Sequence, residues 1–90
     1  MVMTLFDWDE ANVEHIAVHD VEPYEAEEVL DDLDRVSFDT HGKGVKGVIG
    51  KTEDGRIMVV IYILRNGGYR VITARNSTNL EKRIYRRRGK

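Results

Sequence analysis

The chain predicts an α+β fold: a small antiparallel sheet with two helices before it and one after it. Three observations point there. Apolar residues recur at helical spacing through the first third of the chain. After them, short β-rich runs are joined by Asp54-Gly55 and by Asn66-Gly67-Gly68, the residue pairs that turn antiparallel hairpins. Last, Thr78 and Glu81 have the T-x-x-E spacing of a capping box, ahead of a charged C-terminal segment. Helices first and hairpin-linked strands next give segregated layers.

Each element has its own reason. Residues 5–8 read as a short strand or an apolar lead-in. Residues 9–19 read as a helix with Val13, Ile16 and Ala17 on one stripe, and Asp7 or Asp9 able to cap it. Pro23 opens a second helix, where its missing N–H costs nothing. Tyr24, Ala26, Val29 and Leu30 give that helix an apolar side, and Trp8 and Tyr24 are expected in the core. Glu25, Glu27 and Glu28 suit the dipole of its early turns, and Asp31-Asp32 end it. Strands are expected over residues 35–39, 45–51, 56–64 and 69–74, with a loop over 41–44. The two glycines within 45–51 weaken that strand or mark a bulge. Residues 57–64 are apolar on both faces, which suits a central strand. Residues 77–87 close the chain as a helix on which Leu80, Ile84 and Arg87 align.

Charge divides the chain. Residues 1–40 carry thirteen Asp/Glu and one Lys/Arg; residues 41–90 carry thirteen Lys/Arg and three Asp/Glu. The net charge of −2 hides this. The basic half ends in Arg86-Arg87-Arg88-Gly89-Lys90, a run that attracts polyanions. The plainer alternative is that the halves neutralise each other and the remainder is solvated. Ninety residues, 41% hydrophobic and 33% charged, are read as a single folded domain over 1–90 and exclude a disordered chain. The absence of cysteine suits the cytosol. The N-terminus lacks signal-peptide character. The longest apolar run, over 57–64, is far short of the about 20 residues that a membrane helix needs. A cytoplasmic protein without membrane contact is expected. No Walker loop, G-x-G-x-x-G, G-x-S-x-G or zinc-finger spacing occurs.

The residues then carry a resemblance. Phe6-Asp7-Trp8-Asp9-Glu10, His19-Asp20-Val21, Ile49-Gly50-Lys51-Thr52, Asp54-Gly55-Arg56 and Arg70-Val71-Ile72-Thr73-Ala74-Arg75, with Glu81, Arg83 and Tyr85 downstream, resemble the BrnT-type toxins. These are RelE-like ribonucleases of bacterial type II toxin–antitoxin systems. The resemblance covers about residues 5–88 and implies a RelE-like fold, an RNA substrate and a cognate antitoxin of the ribbon-helix-helix type. Operator DNA would be reached only through that antitoxin. This chain departs from the family pattern after the first helix. Lys or Arg, then His, then Gly is usual there, whereas the chain has Val18-His19-Asp20. Asn12 also stands where a Lys is frequent. Both departures remove positive charge from a region expected to face phosphate.

Cleaving RNA without a metal requires a base for the 2′-OH, cations or N–H donors for the phosphorane, and help for the departing 5′-oxygen. Arg75 is the first candidate for the charge, since a guanidinium grips two phosphate oxygens and stays charged. Arg70 lies on the same strand. His19 is the acid–base candidate, because an unperturbed imidazole titrates near neutrality. Glu81 can act as a base or orient an arginine, and Tyr85 can donate to phosphate or stack on a base. Lys51, Arg56 and Arg65, with Arg86, Arg87 and Arg88, are the expected RNA-binding cations. Any one of them alone also reads as a surface charge. His15 and His19 share a helix face, but two histidines without a third ligand do not make a metal site, and no cofactor is expected. Two other readings compete. One is a catalytically weakened module that binds a partner protein or RNA without cutting, favoured by Val18 and Asp20. The other is a fold whose acidic helices bind a basic partner.

Overall fold

The computed structural model describes residues 5–88. Met1 to Thr4 and Gly89-Lys90 lie outside the described residues, and with them the end of the basic run. The order is α1 (Glu10–Ala17), α2 (Pro23–Asp31), β1 (Val36–Asp39), β2 (Val45–Lys51), β3 (Ile57–Arg65), β4 (Gly68–Asn76) and α3 (Asn79–Arg86). The expected α+β class and its element order hold. Residues 5–8 form a lead-in rather than a strand. Phe6 makes a single parallel bridge to Tyr69, closed by Asp7 N–H to the Tyr69 carbonyl (2.8 Å) and Tyr69 N–H to the Leu5 carbonyl (2.9 Å).

The four strands pair antiparallel in chain order, β1-β2-β3-β4. The β2–β3 and β3–β4 hairpins use the residues that their turns require. Gly55 has φ 91°, and Asn66 and Gly67 have φ 54° and 78°, the paired positive values of a type I′ turn. The glycines of β2 serve close packing, while the register shift lies elsewhere, between Ile61 and Tyr62. A Cβ on Gly47 would come within 2.4 Å of the Phe38 ring, and one on Gly50 within 2.9 Å of the Val29 carbonyl oxygen.

Because residues opposite each other share a face, the register sorts the sheet into rows. Val48, Val60 and Ala74 face α1 and α2, where Ile16, Val21, Ala26, Val29 and Leu30 complete the main core. Val36, Ile49, Val59 and Arg75 form a row on the opposite face. Tyr85 of α3 packs there with Ile49, Ile57 and Val59.

Three helix faces differ from expectation. In α1 the buried residues are Ile16 and Asn12, while Ala17 is exposed. Asn12 is held by four hydrogen bonds, two exchanged with Asp9 and two donated to the Asp7 and Val71 carbonyls. Tyr24 is 53% exposed, because Ala26, Val29 and Leu30 fill the contact face of α2. Trp8 packs against the core as expected, and its indole donates to Glu27 at 2.8 Å. In α3 the apolar pair Leu80 and Ile84 points outward and Tyr85 inward.

Candidate active site

Strand β4 ends beside the first turn of α3, and this juncture assembles Arg75 and Glu81. Thr78 caps the helix through the Glu81 N–H (3.2 Å), and Glu81 returns a carboxylate oxygen to the Thr78 N–H (2.8 Å). The same carboxylate takes both terminal nitrogens of Arg75, each at 2.8 Å. The fork–fork geometry fixes the guanidinium plane, yet 43% of the Arg75 side chain stays exposed. Arg75 hydrogen bonding holds the Glu81 carboxyl down at about 2, against the effect of burial. Glu81 is therefore a fixed anion near neutral pH, suited to orienting Arg75 and a weak proton acceptor.

Asn76 extends the cluster. Its backbone carbonyl accepts from Arg75 (3.1 Å) and its side-chain oxygen from Arg56 (2.8 Å). Arg56 also donates to Glu25 (2.9 and 3.1 Å) and to the Asp20 carbonyl (3.0 Å). It is a clamp between the sheet and the turn that follows α1, not a free surface cation. Asp20 takes φ 60°, the left-handed conformation that glycine adopts most easily and Asp tolerates. The acid thus holds a backbone conformation that glycine adopts without strain. His19 sits exposed beside it, edge-to-face with His15 at 6.1 Å. Among the described residues, no hydrogen bond or ion pair joins the His19 side chain to Arg75, Arg70 or Glu81.

The remaining candidates disperse. Arg70 lies five positions before Arg75 on β4, roughly 15 Å away along an extended strand. It pairs with Asp9 (3.0 Å) and Asp7 (3.6 Å) and lines a groove with Ala11, Asn12 and His15. Tyr85 is 2% exposed, and its hydroxyl donates to Asp32 at 2.6 Å, so the phenol anchors α3 and offers no face to a base. Arg88 stacks on Tyr85 at 4.0 Å and pairs with Asp34 at 3.2 Å. Arg65 pairs with Asp7 at 3.5 Å. Four arginines of the basic half therefore meet acids of the first forty residues, which is the mutual neutralisation that the charge split allows. Among the described residues no ion pair holds Lys51, Arg83, Arg86 or Arg87, so they remain available to a polyanion. Asn76 and Asp32 were not legible as site or anchor residues, since their partners lie 20 and 53 positions away.

Comparison with known proteins adds the identity of the fold. No curated protein matches the chain. The profile of the family described as "Ribonuclease toxin, BrnT, of type II toxin-antitoxin system" matches residues 8–81. That span includes His19, Arg56, Arg70, Arg75 and Glu81, and stops before Tyr85 and the terminal arginines. The chain belongs to the BrnT family of ribonuclease toxins of type II toxin–antitoxin systems.

Proposed function

We propose that this toxin is a metal-independent endoribonuclease in which Arg75, oriented by Glu81, stabilises the charge of the phosphorane. The observation that carries this reading is the bidentate Arg75–Glu81 pair at the end of β4. It presents a fixed, half-exposed guanidinium whose partner stays ionised. An incoming phosphate meets a cation already planar and aimed, which is the preorganisation that charge stabilisation needs. His19, exposed in the turn that follows α1, takes the proton from the 2′-OH. The 2′-oxygen bonds to phosphorus, the bond to the 5′-oxygen breaks, and that oxygen leaves with a proton taken from solvent water. Lys51, Arg86 and Arg87 hold the flanking phosphates. Arg70 lies too far along β4 to share one phosphate with Arg75, and serves a neighbouring position on the RNA.

The antitoxin is of the ribbon-helix-helix type, operator DNA is reached through it, and the toxin works in the cytoplasm, where its RNA is. The test is cleavage of a labelled RNA in excess EDTA with analysis of the new ends. A 2′,3′-cyclic phosphate and a free 5′-hydroxyl are expected; a requirement for added metal contradicts the reading. The weakened binding module remains the second reading, because Val18, 80% exposed beside His19, supplies no cation there. RNA binding without cutting by the folded protein would establish it.

A further inference from the structure

Between β1 and α3 lies a groove of about 370 Å³ whose apolar walls the cleavage chemistry does not use. Its apolar walls are Val36, Phe38 and Ile49 on the strands and Leu80 and Ile84 on the helix, and Glu81, already paired with Arg75, lines its end. Leu80 is 59% exposed, Ile84 43% and Phe38 37%. These side chains are contiguous, not scattered singly, and such a patch marks an interaction surface. β1 is an edge strand, so the groove also adjoins a row of backbone groups not paired within the sheet. On the helix, Arg83 follows Leu80 and Arg87 follows Ile84 by three residues, and among the described residues neither is held by an acid.

We propose that this groove is the docking site for a segment of the cognate antitoxin. The segment would place apolar side chains on Leu80, Ile84 and Phe38, and carboxylates on Arg83 and Arg87. The inference rests on the toxin–antitoxin membership and adds where the partner binds and by what chemistry. Charge complementarity selects this occupant. A second copy docked here about a two-fold axis would set Arg83 and Arg87 against their own equivalents. An RNA strand would satisfy the arginines and leave the apolar walls facing phosphate and water. An acidic amphipathic segment satisfies both. Glu81 itself lines the groove and holds Arg75 at 2.8 Å, so an occupant there also crowds the approach to Arg75.

The test uses the antitoxin encoded beside this chain's gene, purified and titrated onto the full-length toxin. Three toxins are compared: wild type, Leu80→Glu/Ile84→Glu, and Leu64→Glu. The last changes an exposed leucine, 60% accessible, outside the groove. The double variant should bind on the order of 100-fold more weakly, the loss expected for two interface anchors. Leu64→Glu should bind like wild type, and all three should show folded melting curves. Unchanged affinity in the double variant overturns the proposal. So does a self-association of wild type that the double variant abolishes with antitoxin affinity intact, which would assign the groove to a second copy. If the double variant does not fold, Leu80→Glu alone decides by the same criterion, since a carboxylate suits the first turn of a helix. If none of the three cuts RNA while the affinities separate as stated, the enzymatic reading fails and the docking site stands.

Discussion

The Tyr85 hydroxyl donates a 2.6 Å hydrogen bond to the Asp32 carboxylate, tying the last helix to the end of the second across 53 positions. Burial and Asp32 push the phenol up to about 12, so the bond persists throughout the neutral range. Burial alone would raise Asp32; the donors Tyr85, Asp34 N–H and Lys51 N–H outweigh it and hold the carboxyl below its ordinary value. Tyr85→Phe keeps the ring and removes the donor. It should cost about 1.5–3 kcal/mol, the scale of a hydrogen bond to a charged group. In a domain this small the melting temperature should fall by roughly 6–20 °C, measured by circular dichroism.

Glu81 makes a stability prediction with a defined pH window. Its folded value of about 2 lies below the ordinary 4.5, so its contribution is complete above pH 4.5 and is lost as pH falls towards 2. The gap in melting temperature between wild type and Glu81→Gln should be widest above pH 4.5 and should close towards pH 2. A gap that does not depend on pH would contradict the ion pair. Because Arg75 is 43% exposed, solvent screening holds the effect to on the order of 1–2 kcal/mol.

Arg56→Ala strips Glu25 of its cationic partner, leaving the Glu22 N–H on a carboxylate only 13% exposed. The change should cost about 2 kcal/mol or more and loosen the turn at Asp20, seen as faster amide exchange there. Arg56→Lys should recover only part of the loss. One ammonium cannot reproduce the planar contacts to Glu25, Asn76 and the Asp20 carbonyl.

The two β2 glycines should differ in their tolerance of a methyl group. At Gly50 the obstacle includes the Val29 carbonyl, which is backbone and cannot swing aside. At Gly47 it is the Phe38 ring, which is partly exposed and can rotate away. Gly50→Ala should cost about 2–3 kcal/mol and Gly47→Ala about 1 kcal/mol, by urea denaturation.

Local chemistry was legible in the sequence, and long-range chemistry was not. Asn66-Gly67 announced its turn because only residues tolerant of positive φ fit a type I′ pair. Thr78 and Glu81 announced their box because capping acts over three residues. The Val45–Lys51 strand came out with its observed bounds. The inward face of α3 was hidden: Leu80 and Ile84 look like the buried stripe, yet Tyr85 is drawn in by a carboxylate from the other end of the chain. Arg56 looked like a surface cation for the same reason, its partner Glu25 lying 31 positions earlier. In the candidate site, Arg75 with Glu81 was half-legible, since the cap places Glu81 at the end of the strand. The separation of Arg70 from Arg75 needed the strand itself.

The measurement that bears most directly on the central claim is the single-turnover cleavage rate of one labelled RNA in excess EDTA, wild type against Arg75→Ala. Both proteins must first be shown folded by their melting curves. The account predicts cleavage by wild type and a loss of roughly 100-fold or more in the variant, the scale for removing a preorganised charge stabiliser. Equal rates from two folded proteins would contradict it and move the chemistry away from the end of β4.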